Sequence, residues 1–232
     1  MRFAVGFDFD HTLGVDNKLE RVAFLRLLER LATFEGAQVR EQSEEIAHID
    51  ELLVAQRSGA FPIDEAVHRF MQAHGVDAGA ARYVEYYKSV ALSLVDELVE
   101  ARPGLEAMLE ELHRRGVPCA VLTNGWSPLQ QRKAARAGFL GPVIASDEIG
   151  VQKPDPRAFE RLVEFFGYGR AAVWYVGDNP AVDVAGARTA GLQAIWFDEG
   201  LLEYPADLPR PDAVVRTLPE VLDVLPGAAA VS

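Results

Sequence analysis

The sequence predicts a doubly wound α/β protein with an all-helical region spliced into it, on three observations. A short apolar run at residues 3–7 leads directly into Asp8-Phe9-Asp10. Beyond residue 101, short apolar runs alternate with helical segments, the pattern of a parallel sheet covered by helices on both faces. Between these two parts, about 85 residues carry helical spacing only.

Taken in order, the opening run reads as a buried strand that delivers its acids to the edge of the sheet. Leu19, Val22, Leu25, Leu28 and Leu31 predict an amphipathic helix over 18–33. A more polar helix is expected over 38–57, stopping at Ser58-Gly59. A third starts at Pro62, which a first helical turn tolerates, and ends at Gly75. A fourth covers 78–99, with Tyr83, Tyr86, Tyr87 and Val90 along it. Pro103 then opens a helix that ends at Gly116, and 117–123 is a strand. Pro128 opens a helix ending near Gly138, followed by a short strand at 143–146. Pro156 opens a helix to Phe166, and the strand 172–176 runs into Gly177-Asp178. The segment 180–190 is helical and capped by Gly191; strands follow at 193–197 and 213–215, then a helix ending near Leu225. The tail 226–232 is expected to fray.

This assigns residues 1–14 and 101–232 to an α/β core and 15–100 to a helical domain. An insertion placed just after the first acidic loop is expected to emerge at the mouth of the site, as a lid that closes over substrate and excludes water.

Composition narrows the function. With 49% hydrophobic and 25% charged residues, the chain is ordinary for a soluble globular protein. A formal charge of −12 with no basic stripe argues against general binding to nucleic acid or to an anionic membrane. It leaves a phosphorylated substrate open, because one divalent cation and one placed lysine reverse a local field. The single Cys119 forbids an intramolecular disulfide, and its apolar run marks it as a small buried hydrophobe. No apolar stretch reaches membrane-spanning length and no secretory h-region opens the chain, so the expected location is the cytoplasm. Lys133, Arg132 and Arg136 share a helix and are read as a solvated face. Trp126 is read either as a pocket wall or as packing beneath the helical insertion.

Four short motifs fall at or near strand ends on what should be one edge of the sheet: Asp8-Phe9-Asp10-His11-Thr12, Thr123-Asn124, Lys153-Pro154, and Gly177-Asp178-Asn179 with Asp183 five residues after Asp178. Each alone is weak; their order on alternating elements gives them weight. The residue types suit phosphoryl transfer from a monoester. A carboxylate is already ionised at neutral pH, so it needs no activation as a nucleophile. The obstacle is repulsion from an anionic phosphoryl group, which a hard cation on oxygen ligands, a lysine and a hydroxyl can offset.

With these motifs in view, notably Ile149-Gly150-Val151-Gln152-Lys153-Pro154-Asp155-Pro156 and Val176-Gly177-Asp178-Asn179-Pro180, the sequence resembles a phosphatase of the haloacid dehalogenase superfamily, in the subgroup whose helical cap follows the first motif. The resemblance covers the whole core and implies a Rossmann-like sheet. It also implies that Asp8 attacks phosphorus and forms an aspartyl-phosphate, and that Asp10 protonates the leaving oxygen and later deprotonates water. Mg²⁺ would be held by Asp8, the Asp10 carbonyl and Asp178, with Asp183 in support. Thr123 and Lys153 would hold phosphoryl oxygens, Lys153 also offsetting the charge of Asp8, while Thr12, Asn124 and the backbone N–H groups around Phe9–His11 complete the cradle.

His11 departs from the commonest pattern, which has Gly or Asn; it is read either as a substrate contact or as a residue fitted to the local backbone. Asn179 is read as orienting its neighbours. In the helical region Arg57, at a helix end, is a candidate for a second phosphate or carboxylate, and Phe61, His68, Tyr83, Tyr86 and Tyr87 are candidates for reading the leaving group. The expected function is a Mg²⁺-dependent phosphatase of a small phosphorylated metabolite, as a monomer or homodimer. A phosphomutase is the alternative. A dehalogenase is disfavoured by Asp10, and a silent binding protein by the presence of Asp8, Asp10 and Lys153.

Overall fold

The structure, a computed structural model, describes residues 2–200 and 203–227. Of the tail expected to fray, residues 228–232 lie outside the described residues. The chain divides into two compact units, Met1–Val15 with Glu100–Ser232, and Asp16–Val99.

In chain order, strand β1 (Ala4–Phe7) and a two-residue β2 (Gly14–Val15) precede helices α1 (Leu19–Glu35), α2 (Gln42–Arg57), α3 (Ile63–Ala73) and α4 (Ala80–Leu98). After them come β3 (Glu100–Ala101), α5 (Leu105–Arg114), β4 (Cys119–Thr123), α6 (Leu129–Ala137), β5 (Val143–Ala145), α7 (Ser146–Ile149) and α8 (Pro156–Phe166). Strand β6 (Val173–Gly177), a π-helical turn at Pro180–Val184, α9 (Ala185–Thr189), β7 (Gln193–Phe197), β8 (Ala213–Val215) and α10 (Val221–Val224) complete the core.

The core sheet has six strands in the order β5-β4-β1-β6-β7-β8, every pair parallel. This is a Rossmann-like doubly wound sheet. Strand β1 lies in the interior of the sheet, and all four of its residues are buried, which is why it reads as an unbroken apolar run and not as an alternating one. Alternation in the neighbouring strands sorts side chains between the faces. Ala120 and Leu122 of β4, Val173 and Tyr175 of β6, and Ala194 and Trp196 of β7 meet Ala158, Phe159 and Leu162 of α8 and Ala187 of α9. Each large apolar side chain so buried contributes about 1.5–3 kcal/mol. Because every strand runs the same way, the loops after β1, β4 and β6 all open on one edge.

In the helical unit α1 packs on α2 and α4, and α3 packs on the same two. Its core includes Phe24, with ring centroids 5.0 Å from Phe70 and 4.5 Å from Tyr87. The buried stripe of α1 is Leu19, Ala23, Phe24, Leu27, Leu28 and Leu31, which follows 3.6 residues per turn. The expected stripe, stepping by three, drifts off that face at Val22 and Leu25, which are half-buried. No helix among the described residues is long and apolar enough to cross a membrane.

Several boundaries differ from the sequence expectation. Helix α2 starts at Gln42 and not at 38, because the Arg40 N–H donates to Glu45 Oε1 (2.8 Å) before the helical ladder begins. Strand β4 starts at Cys119, since Pro118 has no N–H to give the ladder. Ser146 opens α7 instead of ending a strand, and its hydroxyl exchanges hydrogen bonds with the Gly125 backbone (3.0 and 3.2 Å). The helix expected over 180–190 is a π-helical turn followed by α9, and the paired β2 and β3 had no periodic signal to announce them.

Candidate active site

Asp8 follows the last residue of β1, and its N–H donates to the Val176 carbonyl (2.9 Å), so the ladder still holds its backbone. The chain then turns back on itself. The Phe9 carbonyl accepts from the N–H groups of Thr12, Leu13 and Gly14 at 2.9–3.2 Å, and His11 takes a left-handed conformation (φ 64°). That conformation favours Gly and Asn and tolerates His, which supports the reading of His11 as a residue fitted to its backbone. Its N–H donates to the Gly14 carbonyl (2.8 Å), so the expectation that this N–H lines an anion cradle is corrected. The exposed imidazole lies 3.7 Å from Glu199. Thr12 is buried, and its hydroxyl donates to Asp178 Oδ1 (3.3 Å).

The end of β4 places Thr123, 1% exposed, on the same edge. Asn124 holds the backbone of Lys153 from both sides: Oδ1 accepts from the Lys153 N–H (2.9 Å) and Nδ2 donates to its carbonyl (2.8 Å). Held in this way, the Lys153 ammonium donates to Asp8 Oδ1 (2.7 Å), Asp183 Oδ1 (2.7 Å) and Tyr175 Oη (2.8 Å). The Tyr175 hydroxyl in turn donates to the Leu122 carbonyl (2.7 Å). Tyr175 carried no sequence signal beyond that of a core strand residue.

Beyond β6, Asn179 caps the π-helical turn, its Oδ1 accepting from the Ala181 and Val182 N–H groups (both 3.0 Å). This is the orienting role expected of it. The turn carries Asp183 back under the strand end, where its Oδ2 accepts from the Asn179 N–H (3.0 Å). The approach is so close that a β-carbon on Gly177 would collide with Asp183, meeting Oδ2 at 2.6 Å.

Asp8, Asp178 and Asp183 offer carboxylate oxygens that all lie within 4.8 Å of one another. Burial and the neighbouring acids Asp183, Asp178 and Asp10 push Asp8 up to about 8, against the pull of Lys153. Burial and Asp183 push Asp178 up to about 6. Burial alone would lower the Lys153 ammonium, but Asp183 and Asp8 hold it well above its ordinary value, and therefore charged. A cluster of oxygen donors under such mutual repulsion fits a hard divalent cation.

A further expectation is overturned. Lys133 does not lie on a solvated face with the exposed Arg132 and Arg136; it is fully buried, and its ammonium donates to Asp10 Oδ1. Its spacing does put it in phase with Leu129 and Ala137, on the inward face, and its charge was weighed above that register. Cys119 is half-buried and not, as expected, buried; what burial it has pushes its thiol up to about 12 and suits an inert hydrophobe. Trp126 is buried. In the helical unit Arg57 pairs with Glu20 (3.1 Å), Tyr83 and Tyr87 are core residues, and Tyr86 stacks under the Arg30 guanidinium (4.4 Å). His68 and Phe61 are half-buried.

At this carboxyl edge of the parallel sheet, four aspartates, two of them buried, face the buried Lys133 and Lys153. A family profile described as haloacid dehalogenase-like hydrolase matches residues 4–191, and the chain belongs to that family. It is 43% identical over 122 residues to the phosphoserine phosphatase of Thermus thermophilus, a match covering 51% of this chain and 49% of that protein. The chain thus spans about half the length of that relative. It is 28% identical over 229 residues to the glyceraldehyde 3-phosphate phosphatase of Pyrococcus furiosus, covering 94% of this chain and 91% of that one. Among solved structures it resembles a 2-haloacid dehalogenase from Pseudomonas syringae, with TM-score 0.72, 26% identity, and 96% and 98% of the two chains covered.

Proposed function

We propose that the chain is a Mg²⁺-dependent phosphatase of small phosphomonoesters. The observation that carries the reading is the buried lysine between two aspartates: Lys153 lies 2.7 Å from both Asp8 and Asp183, beside a third carboxylate on Asp178. Asp8 is the nucleophile. Its carboxylate forms a bond to phosphorus as the ester oxygen leaves, and Asp10 gives that oxygen its proton. Water then attacks the aspartyl-phosphate, Asp10 takes a proton from it, and inorganic phosphate departs with Asp8 restored. Lys153 and Thr123 hold phosphoryl oxygens, and Asn124 keeps Lys153 in place. Asp8, Asp178, the Asp10 carbonyl and, in support, Asp183 would hold Mg²⁺, which when bound offsets the negative charge of nucleophile and substrate. The helical unit is proposed as the cap that sets specificity.

The dehalogenase among the similar structures gives a second reading its hearing, since displacement of halide at carbon uses a carboxylate nucleophile. That chemistry needs no proton for its leaving group. A second carboxylate, Asp10, engaged by two side chains of α6, favours the phosphatase.

The test is release of phosphate from phosphoserine, glyceraldehyde 3-phosphate, pyrimidine nucleoside monophosphates and para-nitrophenyl phosphate, and of chloride from 2-chloropropionate, with Mg²⁺ or EDTA. Metal-dependent phosphate release that vanishes in Asp8→Asn supports the reading. Chloride release without phosphate release would replace it with the dehalogenase.

A further inference from the structure

Helix α6 presents two polar side chains inward. Gln130 and Lys133 lie three residues apart and so share a face, with Leu129, Ala134 and Ala137 buried alongside. Gln130 is 2% exposed and Lys133 fully buried. Both reach one carboxylate: the Lys133 ammonium donates to Asp10 Oδ1, and Gln130 Nε2 lies 3.4 Å from Oδ2. The ammonium also sits 5.5 Å from the Phe9 ring centroid. Room for Gln130 comes from Gly125, where a β-carbon would fall 2.9 Å from Gln130 Cγ. Ser146, at the start of α7, pins that turn through the Gly125 backbone.

A buried ammonium is tolerated where an anion compensates it, and an apolar side chain of the same length would fill the space at lower cost. The carboxylate it meets is not among the three that cluster as candidate metal ligands. It is the one to which the proposed function gives both proton transfers.

We propose that Lys133, with Gln130, is a positioning residue that holds the Asp10 carboxylate in a single orientation for proton transfer to the leaving oxygen. The inference rests on the phosphatase reading. Neither side chain touches the substrate; each removes rotational freedom from a group whose proton transfer demands a defined geometry. Gly125, Gln130 and Lys133 then form one functional spacing on the loop and helix after β4.

The experiment is a double-mutant cycle on kcat/KM with two esters. Para-nitrophenyl phosphate has a leaving group that needs little protonation; glycerol phosphate leaves as an alkoxide that needs a full proton. Lys133→Met keeps an unbranched stem and removes the charge. It is expected to lower kcat/KM for glycerol phosphate about 10–10²-fold and that for the aryl ester less than about fivefold, the pattern of lost acid help. Combined with Asp10→Asn, it should add less than about twofold to the loss from Asp10→Asn alone, because residues acting as a unit are not additive. Gln130→Met should give a weaker form of the same pattern, and carries the test if Lys133→Met does not fold by circular dichroism. Equal losses on both esters, or losses that multiply in the double variant, would overturn the positioning role while leaving the phosphatase intact. A wild-type chain that releases phosphate from neither ester nor from any phosphomonoester of the panel above overturns the phosphatase reading, and this role with it.

Discussion

Replacing Asp8 by asparagine is expected to stabilise the metal-free protein, and increasingly so as pH rises. Asp8 is 7% exposed, and burial with three neighbouring acids raises it from an ordinary 3.8 to about 8. A carboxyl raised by folding contributes stability that is fully present below about pH 4 and is lost as pH climbs toward 8, because the unfolded chain gives up its proton first. At about 1.4 kcal/mol per unit, a shift of about four units sets a ceiling near 6 kcal/mol. Water entering the site, with an effective interior dielectric of about 20, reduces the expected difference to about 2–3 kcal/mol at pH 8. Asparagine removes the charge and keeps an oxygen to accept from Lys153, whose ammonium retains Asp183 as its counter-ion at 2.7 Å. The assay is urea denaturation followed by circular dichroism, with EDTA, from pH 4.5 to 8.5. The two proteins should be nearly equal at the acid end and separate steadily from there up to about pH 8, with the variant more stable. A difference that stays constant, or that favours wild type at pH 8, would refute the repulsion argument.

The other predictions address the chemistry and the metal. Asp10→Asn should slow turnover by roughly 10²–10⁴, the range of lost acid/base help, in a steady-state phosphate-release assay. Gly177→Ala should cost about 1–3 kcal/mol by overpacking against Asp183 and should weaken Mg²⁺ binding in a calorimetric titration. Binding of Mg²⁺ at pH 6 should release between about one and two protons, since Asp8 (about 8) is then mostly protonated and Asp178 (about 6) about half so. Release is read from titrations in buffers of different protonation enthalpy and should fall toward zero by pH 9.

The readable parts of the sequence were those where one local rule acts alone. The bounds of α8 follow from Pro156 at its first position and Gly167 in a left-handed conformation after its end. Strand β7 is an apolar run closed by turn residues. The aspartates, Thr123 and Lys153 stood out because acids and a lysine at the ends of apolar runs have few structural reasons to be there. Lys133 and Tyr175 did not, for opposite reasons. The lysine lies in phase with Leu129 and Ala137, but as a charged side chain on a short helix that also carries Gln130, Gln131, Arg132 and Arg136 it read as surface, while the tyrosine occupies a strand position where an aromatic side chain is ordinary core. Their roles exist only in contacts across 123 and 22 residues of chain.

The charges at the sheet edge explain why the proposed cation is divalent. Asp8, Asp10, Asp178 and Asp183 bring four negative charges, and Lys133 and Lys153 bring two positive ones. Lys133 is engaged by Asp10, and Lys153 is shared between Asp8 and Asp183. The two carboxylates pushed toward the neutral form are Asp8 and Asp178, so the deficit falls on the pair best placed to lose protons to a metal. Neutralising the four acids takes two more positive charges, which one divalent ion supplies and a monovalent ion does not. A third lysine in place of the metal would bring only one, and a dianionic ester would still meet a negative site. The two lysines therefore do different work on the proposed function: Lys153 sets the nucleophile and the phosphoryl group, Lys133 sets the proton carrier, and neither is free to do the work of the cation.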